Sequence, residues 1–289
     1  MHRGPCLAFA YLHVARQPPS LIPSPTLARL ASTRLASTRL ASARLASVGI
    51  ALASVVACQP ELPAPGEPVT SLEWVQASAR VHDPAGLWSQ FAAEVVVASV
   101  NEDGRLAFRE DLYVDRGADT FRRAIVTRGA LLTQTAGPSG CTARWPGARD
   151  IRIGDLRRNG LEGEPCEAIG PPRDLHEFLI GLPMSVLGPA TRFGESPSRE
   201  QVFGREVTRV QLVFEDDPGG QAWALYVDPD TKAFVGAGFT DSRGGGERFD
   251  YGDYVDFGGF RLAQRRTVTE ASSEDFVIEQ RVGFEALAE

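Results

Sequence analysis

Lysine is nearly missing from this chain. Lys232 is the single one among 289 residues, so Ser-x-x-Lys acylation chemistry is excluded. Histidine is scarce too. His2 and His13 stand near the start, and His82 and His176 lie far apart with no zinc-ligand spacing around them. No Gly-x-Ser-x-Gly elbow occurs; Gly137-Pro138-Ser139-Gly140 is one residue short and reads as a turn. No Walker loop or dinucleotide fingerprint occurs either, and Gly244-Gly245-Gly246 reads as a flexible hairpin tip. No apolar run reaches the roughly 20 residues of a membrane-spanning helix. Positive charge is thin where it would matter. Six of the 30 basic residues and none of the 37 acids precede Cys58, so the remainder carries 24 bases against 37 acids, a formal charge of -13. Such a surface repels phosphate backbones and anionic headgroups. Nucleic acid is therefore not an expected partner, and any membrane link needs an anchor.

What is present begins at Leu45. The stretch Leu45–Cys58 is uncharged, mostly apolar and ends at a cysteine. It fits the core of a secretory signal with the small Ala57 at the cut. Val55, Val56, Ala57 and Cys58 resemble the lipobox of bacterial lipoproteins. The resemblance implies cleavage before Cys58, a lipid on its thiol and attachment to the membrane through that lipid. Residues 1–57 are then leader and signal peptide. Within them Arg-Leu-Ala-Ser recurs from Arg29, Arg34, Arg39 and Arg44. A five-residue period matches no solenoid unit and reads as low-complexity leader. Residues 58–70 form a tether held extended by Pro60, Pro63, Pro65 and Pro68. Gln59, in place of an aspartate, leans the expected location in the cell envelope toward the outer membrane.

Residues 71–289 hold enough apolar content for one core. Thr70 or Ser71 can cap a first helix, with Glu73 in its first turn. Leu72, Val75, Ala79 and His82 recur at helical spacing, and Pro84 stops the run. His82 is expected at the helix end, bonded to carbonyls, and not as a ligand. Strand alternation follows. Leu106, Phe108, Leu112 and Val114 share one face, and a hairpin turn at 102–104 joins them to 95–100. Further strands are predicted over 119–128, 130–136, 141–145, 150–156, 207–215, 222–228, 233–240, 248–256, 260–270 and 275–284. One helix interrupts them. Pro171-Pro172 is expected to open it, and Leu175, Phe178, Leu179 and Leu182 share its apolar face. The fold class is mainly β: roughly eleven antiparallel strands, an N-terminal helix and one helical insert over the open side.

Cys141 and Cys166 are an even pair in an exported, oxidising setting, 25 residues apart. They read as a disulfide, with two buried free thiols as the alternative. The acidic run Asp250-Tyr-Gly-Asp253-Tyr-Val-Asp256 is either a solvated strand face or a cation or sugar site. Residues 215–220 read as a hairpin loop.

Three stretches resemble uncharacterised bacterial lipoproteins related to the lipoprotein-localisation factors, the LolA/LolB-like group. These are Gly181-Leu182-Pro183-Met184 after an apolar helix, the strand and turn over 224–234, and the paired strands over 251–262. The family usually carries a proline near the position of Ala263, which this chain lacks. The resemblance implies an unclosed antiparallel barrel around an apolar cavity, with helices at its mouth. Leu175, Phe178, Leu179, Leu182 and Met184 are then the expected lid. Trp223, Leu225, Phe239, Phe276 and Ile278 are the expected inner face. The competing reading is that these residues fill a closed core. The function expected is non-catalytic and needs no metal or cofactor. It is the binding or carrying of a hydrophobic ligand such as an acyl chain, with scaffolding of an envelope complex as the alternative. A hydrolase using carboxylates ranks behind both.

Overall fold

The computed structural model describes residues 68–127, 130–144, 165–214, 221–241 and 244–287. Cys58, the leader, the tether up to residue 67, the strand expected over 150–156 and the loop over 215–220 lie outside the described residues.

Helix α1 (Ser71–His82) starts at a full capping box: the Thr70 hydroxyl accepts from the Glu73 N–H, and the Glu73 carboxylate accepts from the Thr70 N–H. Its inward face is Trp74, Val75, Ser78, Ala79 and His82. Leu72 departs from the expected face and is exposed, because the stripe that meets the sheet is one turned through Trp74. Pro84 follows the end of the helix, which Asp83 caps.

The strands are β1 (Ala92–Val100), β2 (Leu106–Asp115), β3 (Thr120–Thr127), β4 (Ala130–Gly137), β5 (Gly140–Arg144), β6 (Thr191–Phe193), β7 (Ser198–Val202), β8 (Arg205–Phe214), β9 (Ala222–Val227), β10 (Phe234–Thr240), β11 (Gly246–Phe257), β12 (Phe260–Glu270) and β13 (Phe276–Glu285). Among the described residues they make one sheet of 13 strands, in the order β5-β4-β3-β2-β1-β13-β12-β11-β10-β9-β8-β6, with β7 also on β8. All pairings are antiparallel. The short β6 and the polar β7 carry too little apolar alternation to be read from sequence.

Helix α2 (Pro165–Gly181) starts earlier than the Pro171-Pro172 pair, which lies inside it. Those prolines remove two helical donors. The first turns persist because Ala168 and Ile169 are buried and Cys166 is bonded to Cys141 on β5, with Cα atoms 5.0 Å apart. Pro165 itself suits the first helical position.

One helix fixes the curvature of the sheet. Cys166 ties α2 to β5, and Phe178 meets Phe214 of β8 with ring centroids 5.9 Å apart. Twelve helical residues span about 18 Å. A flat sheet would separate β5 from β8 by ten strand spacings, about 48 Å. The sheet must therefore curl so that α2 lies in its concavity. The barrel stays unclosed, with β5 and β6 at its ends.

Two adjoining apolar clusters fill that concavity. One joins Trp74, Val75, Phe178, Leu179 and Leu182 to Trp223, Leu225 and Phe249. The other joins Ala79, Trp88, Ile180 and Met184 to Val95, Val97, Leu112 and Phe121. The inner-face parity of β2 runs past this cover, so Leu106 and Phe108 are exposed instead of buried.

The end of α2 sits directly on an indole. A Cβ at Gly181 would lie 2.2 Å from Trp88 Cζ2. Gly181→Ala should therefore destabilise the fold by about 1–3 kcal/mol, since either the helix end or Trp88 must shift. A thermal melt checks this; an unchanged midpoint would show that the contact yields freely.

Candidate functional site

The candidate site is the interface between α2 and the concave face. Of the expected lid, Phe178, Leu179 and Leu182 are buried in the first cluster, with Leu175 partly buried against it. Met184 is buried in the second cluster, on a 3-10 turn over Met184–Val186. Of the expected inner face, Trp223 and Leu225 are fully buried and Ile278 nearly so. Phe239 is partly buried and stacks obliquely on Trp223, with centroids 5.0 Å apart. Phe276, at the start of β13, is half-exposed and joins none of the core clusters. Phe178 meets Trp223 edge-on at 5.1 Å. Lid and inner face are thus in contact.

One flank of α2 is fastened by charge. His176 Nε2 lies 2.9 Å from Glu110 Oε2. Arg123 Nε donates to Glu110 Oε1, and its Nη1 donates to Gln134 Oε1 at 3.3 Å. All four side chains are buried. Burial alone would raise the Glu110 pKa, but the charges and hydrogen bonds of His176 and Arg123 win and lower it to about 2. Further out, Arg116 donates to Glu177 at 2.6 Å, and Arg173 bridges Glu177 and Asp119. With the disulfide, these contacts bind α2 to β2–β5 and the turn at Asp119.

Alternation in the sequence holds a signal for this cluster. Glu110 shares parity with Leu112 and Val114, Arg123 stands between Phe121 and Ile125, and Gln134 between Leu132 and Ala136. Three polar residues at inward positions of adjacent strands imply a buried network.

The opposite flank of α2 is apolar except at its end. There the Tyr251 hydroxyl donates to the Leu179 carbonyl at 3.0 Å. Tyr251 and Tyr254 both line the interior, although strict alternation from Tyr251 would point Tyr254 outward. The break comes at Asp253, whose φ is 54°, beside the bulge-prone Gly252. The acids of this run go the other way: Asp250 pairs with Arg205, and Arg265 donates to Asp253 at 3.2 Å. The run is a charged outer face backed by two inward tyrosines. Burial raises both tyrosine pKa values. Beneath the end of α2 a cavity of about 10 Å³ remains, lined by Leu179, Leu182, Tyr251, Tyr254, Arg266 and Val282 among others. That is room for about one water. Larger depressions lie against outward residues such as Val96, Arg109 and Arg281.

Arg266 is the polar residue most easily overlooked. It is 2% exposed. Arg265 and Arg266 are consecutive on β12, so strand alternation sends one of them to each face.

His82 pins α1 to two strands. Its Nδ1–H donates to the Arg261 carbonyl at 2.6 Å, and its Nε2 accepts from the Phe234 N–H at 3.0 Å. The ring is neutral in this arrangement, and burial lowers its pKa to about 4. The unfolded ring, near 6.5, binds a proton first. Stability is therefore full above about pH 6.5 and falls by about 3 kcal/mol as pH drops to 4. Glu110 adds a loss of similar size between about pH 4.5 and 2, where the unfolded carboxylate takes its proton before the folded one. Urea unfolding from pH 7 to 3 should show falling midpoints, and His82→Gln should flatten the upper part. A profile level from pH 7 to 4 would contradict the neutral, buried ring.

Among the described residues no group of three or more His, Cys, Asp or Glu side chains is placed to hold a metal ion. No helix among them is long and apolar enough to cross a membrane.

The architecture is an open antiparallel half-barrel with a helix in its concavity. No protein-family model matches the chain, and no curated protein matches it. Its structure is similar to that of a LolA superfamily protein, NE2245 from Nitrosomonas europaea. The identity is 13% and the TM-score 0.44, over 77% of this chain and 96% of that one. It is also similar to a DUF1329 family protein from Desulfovibrio piger, at 12% identity and TM-score 0.39, over 74% and 91% of the two chains. A third likeness is to the MucA/MucB complex of Pseudomonas aeruginosa, at 11% identity and TM-score 0.21, over 76% and 59%. At scores of this size the fold rests on the strand order and helix cover themselves.

Proposed function

We propose that this chain is an envelope lipoprotein, tethered by a lipid on Cys58, that binds a hydrophobic ligand such as an acyl chain between α2 and the concave face. It acts as a binder or carrier and not as an enzyme, and the outer membrane is its favoured location. The asymmetric fastening of α2 carries this reading. One flank is held by a disulfide and buried ion pairs, the other by apolar packing and one tyrosine hydrogen bond. A cover fixed along one side can lift along the other, and an acyl chain can replace the contacts it loses. Phe178, Leu179, Leu182, Trp223 and Leu225 are the proposed ligand contacts, with Leu175, Met184, Phe239, Phe276 and Ile278 around them.

Titration of the full chain with a fluorescent fatty acid should give saturable binding and perturb tryptophan emission through Trp223. Absence of saturable binding would sink the carrier reading. Separately, Cys58→Ser should abolish fatty-acid labelling and leave uncleaved precursor; normal labelling of that variant would end the anchor proposal.

A second reading, a scaffold for an envelope complex, is favoured by the exposed Leu106 and Phe108 and by the paired outward Val126 and Leu131. It would stand if no acyl chain bound.

A further inference from the structure

We propose that Arg266 is the head-group site of this cavity, and that the ligand is an amphiphile whose apolar chain ends in a carboxylate. The inference rests on the hydrophobic-ligand reading above and names the chemistry of the ligand.

A guanidinium keeps its proton even when buried, so it cannot escape desolvation by becoming neutral. Such a group needs an anion or a full set of acceptors. Arg266 has neither. Its Nε and both Nη atoms are buried without a hydrogen bond of proper geometry. The Tyr251 hydroxyl lies within reach of a loose hydrogen bond from the guanidinium, which favours its ionised form, yet burial outweighs this and raises the phenol pKa, so the contact supplies one neutral acceptor and no anion. Tyr251 spends its own proton on the Leu179 carbonyl, and Tyr254 spends its proton on the Phe234 carbonyl. The register partner on β13 is Gln280, whose Oε1 is also buried and unpaired. A neutral amide there does not offset a full charge. The two β11 carboxylates that flank Tyr251 are engaged elsewhere, Asp250 by Arg205 and Asp253 by Arg265. A buried cation with open donors therefore faces the small cavity under α2.

The walls select the ligand class. Leu179, Leu182, Val282 and Phe284 surround the cavity, so whatever meets Arg266 must carry apolar surface behind its charge. One positive charge in a dry site balances one negative charge, and a planar fork matches the two oxygens of a carboxylate. A doubly charged phosphate would leave an unbalanced charge against leucine. The cavity as it stands admits about one water, so the chain enters as the end of α2 lifts from Tyr251.

The test uses the full chain with three twelve-carbon probes: [1-13C]dodecanoate, dodecyl phosphate and dodecanol. Dodecanoate should bind at least about tenfold more tightly than dodecanol. The bound carboxylate resonance should titrate below the range of the free acid, because the adjacent cation favours the ionised form. Arg266→Met keeps an unbranched stem and removes the charge. It should lower dodecanoate affinity to the dodecanol level and leave dodecanol binding no weaker.

Equal affinity of the wild-type chain for dodecanoate and dodecanol would overturn the head-group assignment and leave the hydrophobic-ligand reading intact. So would a preference for dodecanoate that survives in Arg266→Met. Tightest binding by dodecyl phosphate would overturn the carboxylate class. If no probe binds, the hydrophobic-ligand reading itself fails. If Arg266→Met does not fold, the carboxylate titration on the wild-type chain still decides, and an unshifted bound resonance overturns the proposal.

Discussion

Glu110→Ala is expected to destabilise the fold by about 3–5 kcal/mol, because it strands buried charge. Glu110 is the shared acceptor of two groups. Arg123, 5% exposed, approaches one carboxylate oxygen and His176, 6% exposed, the other. Without the carboxylate, Arg123 loses the anion at its Nε, keeps the neutral Gln134 as an acceptor at Nη1, and cannot shed its proton. The loss should also be local. His176 is on α2, so the helix would lose its hold on β2 while the packing of Phe178 against Trp223 remains. Urea denaturation should report the global loss, and hydrogen exchange should show α2 amides opening earlier than those of β9 and β10. Glu110→Gln, which keeps hydrogen-bonding capacity and loses the charge, should sit between the wild type and alanine. A change under about 1 kcal/mol for Glu110→Ala would mean that water or neighbouring groups reach the cluster.

Removing the disulfide is the second large effect. Cys141 and Cys166 close a loop with a sequence separation of 25, for which chain entropy alone gives about 3 kcal/mol. Replacing both by serine should lower stability by that amount. It should loosen the early turns of α2 most, because two internal prolines leave them short of hydrogen bonds. Acyl-chain binding should survive, since the lid residues Phe178, Leu179 and Leu182 lie at the far end of the helix. Equal stability of the double variant and the wild type would show that the reduced chain already holds these strands together. Native mass spectrometry without reductant should find the two cysteines linked.

The strands from β8 to β13 were legible because their apolar alternation is long and their turns are marked by Asp-Pro or Gly-Gly. The first helix was legible through its capping box. What escaped sequence reading shares one cause: tertiary context overrode a local signal. Leu72 has helical periodicity with Val75 and Ala79, yet the docked face runs through Trp74 and Val75 and leaves Leu72 exposed. Pro171-Pro172 is a strong helix opener, yet burial of Ile169 and the bond to β5 carry the helix back to Pro165. Leu106 and Phe108 have inward parity, but the helical cover ends before them. In the candidate site the apolar contacts were legible as stripes, whereas Arg266 was not, since an arginine in a strand is read as surface unless its parity is followed from Phe260. Counted by twos from Phe260 through Leu262, Arg266 and Val268 fall on the same buried side.

The place of β13 bears on how the chain reaches this state. It lies between β1 and β12, so the first and last strands meet in the middle of the sheet. Every strand from β2 to β12 is synthesised before this joint can close. Until Phe276–Glu285 arrives, the growing chain carries two separate sheets, each ending in a bare edge, one of them the valine-rich β1. Such edges invite pairing with other chains. Under the proposed export of this chain, remaining unfolded and guarded until the ten residues of β13 emerge would keep those edges covered. Loss of β13 by a stop codon would not trim an edge: it would divide the protein at its centre.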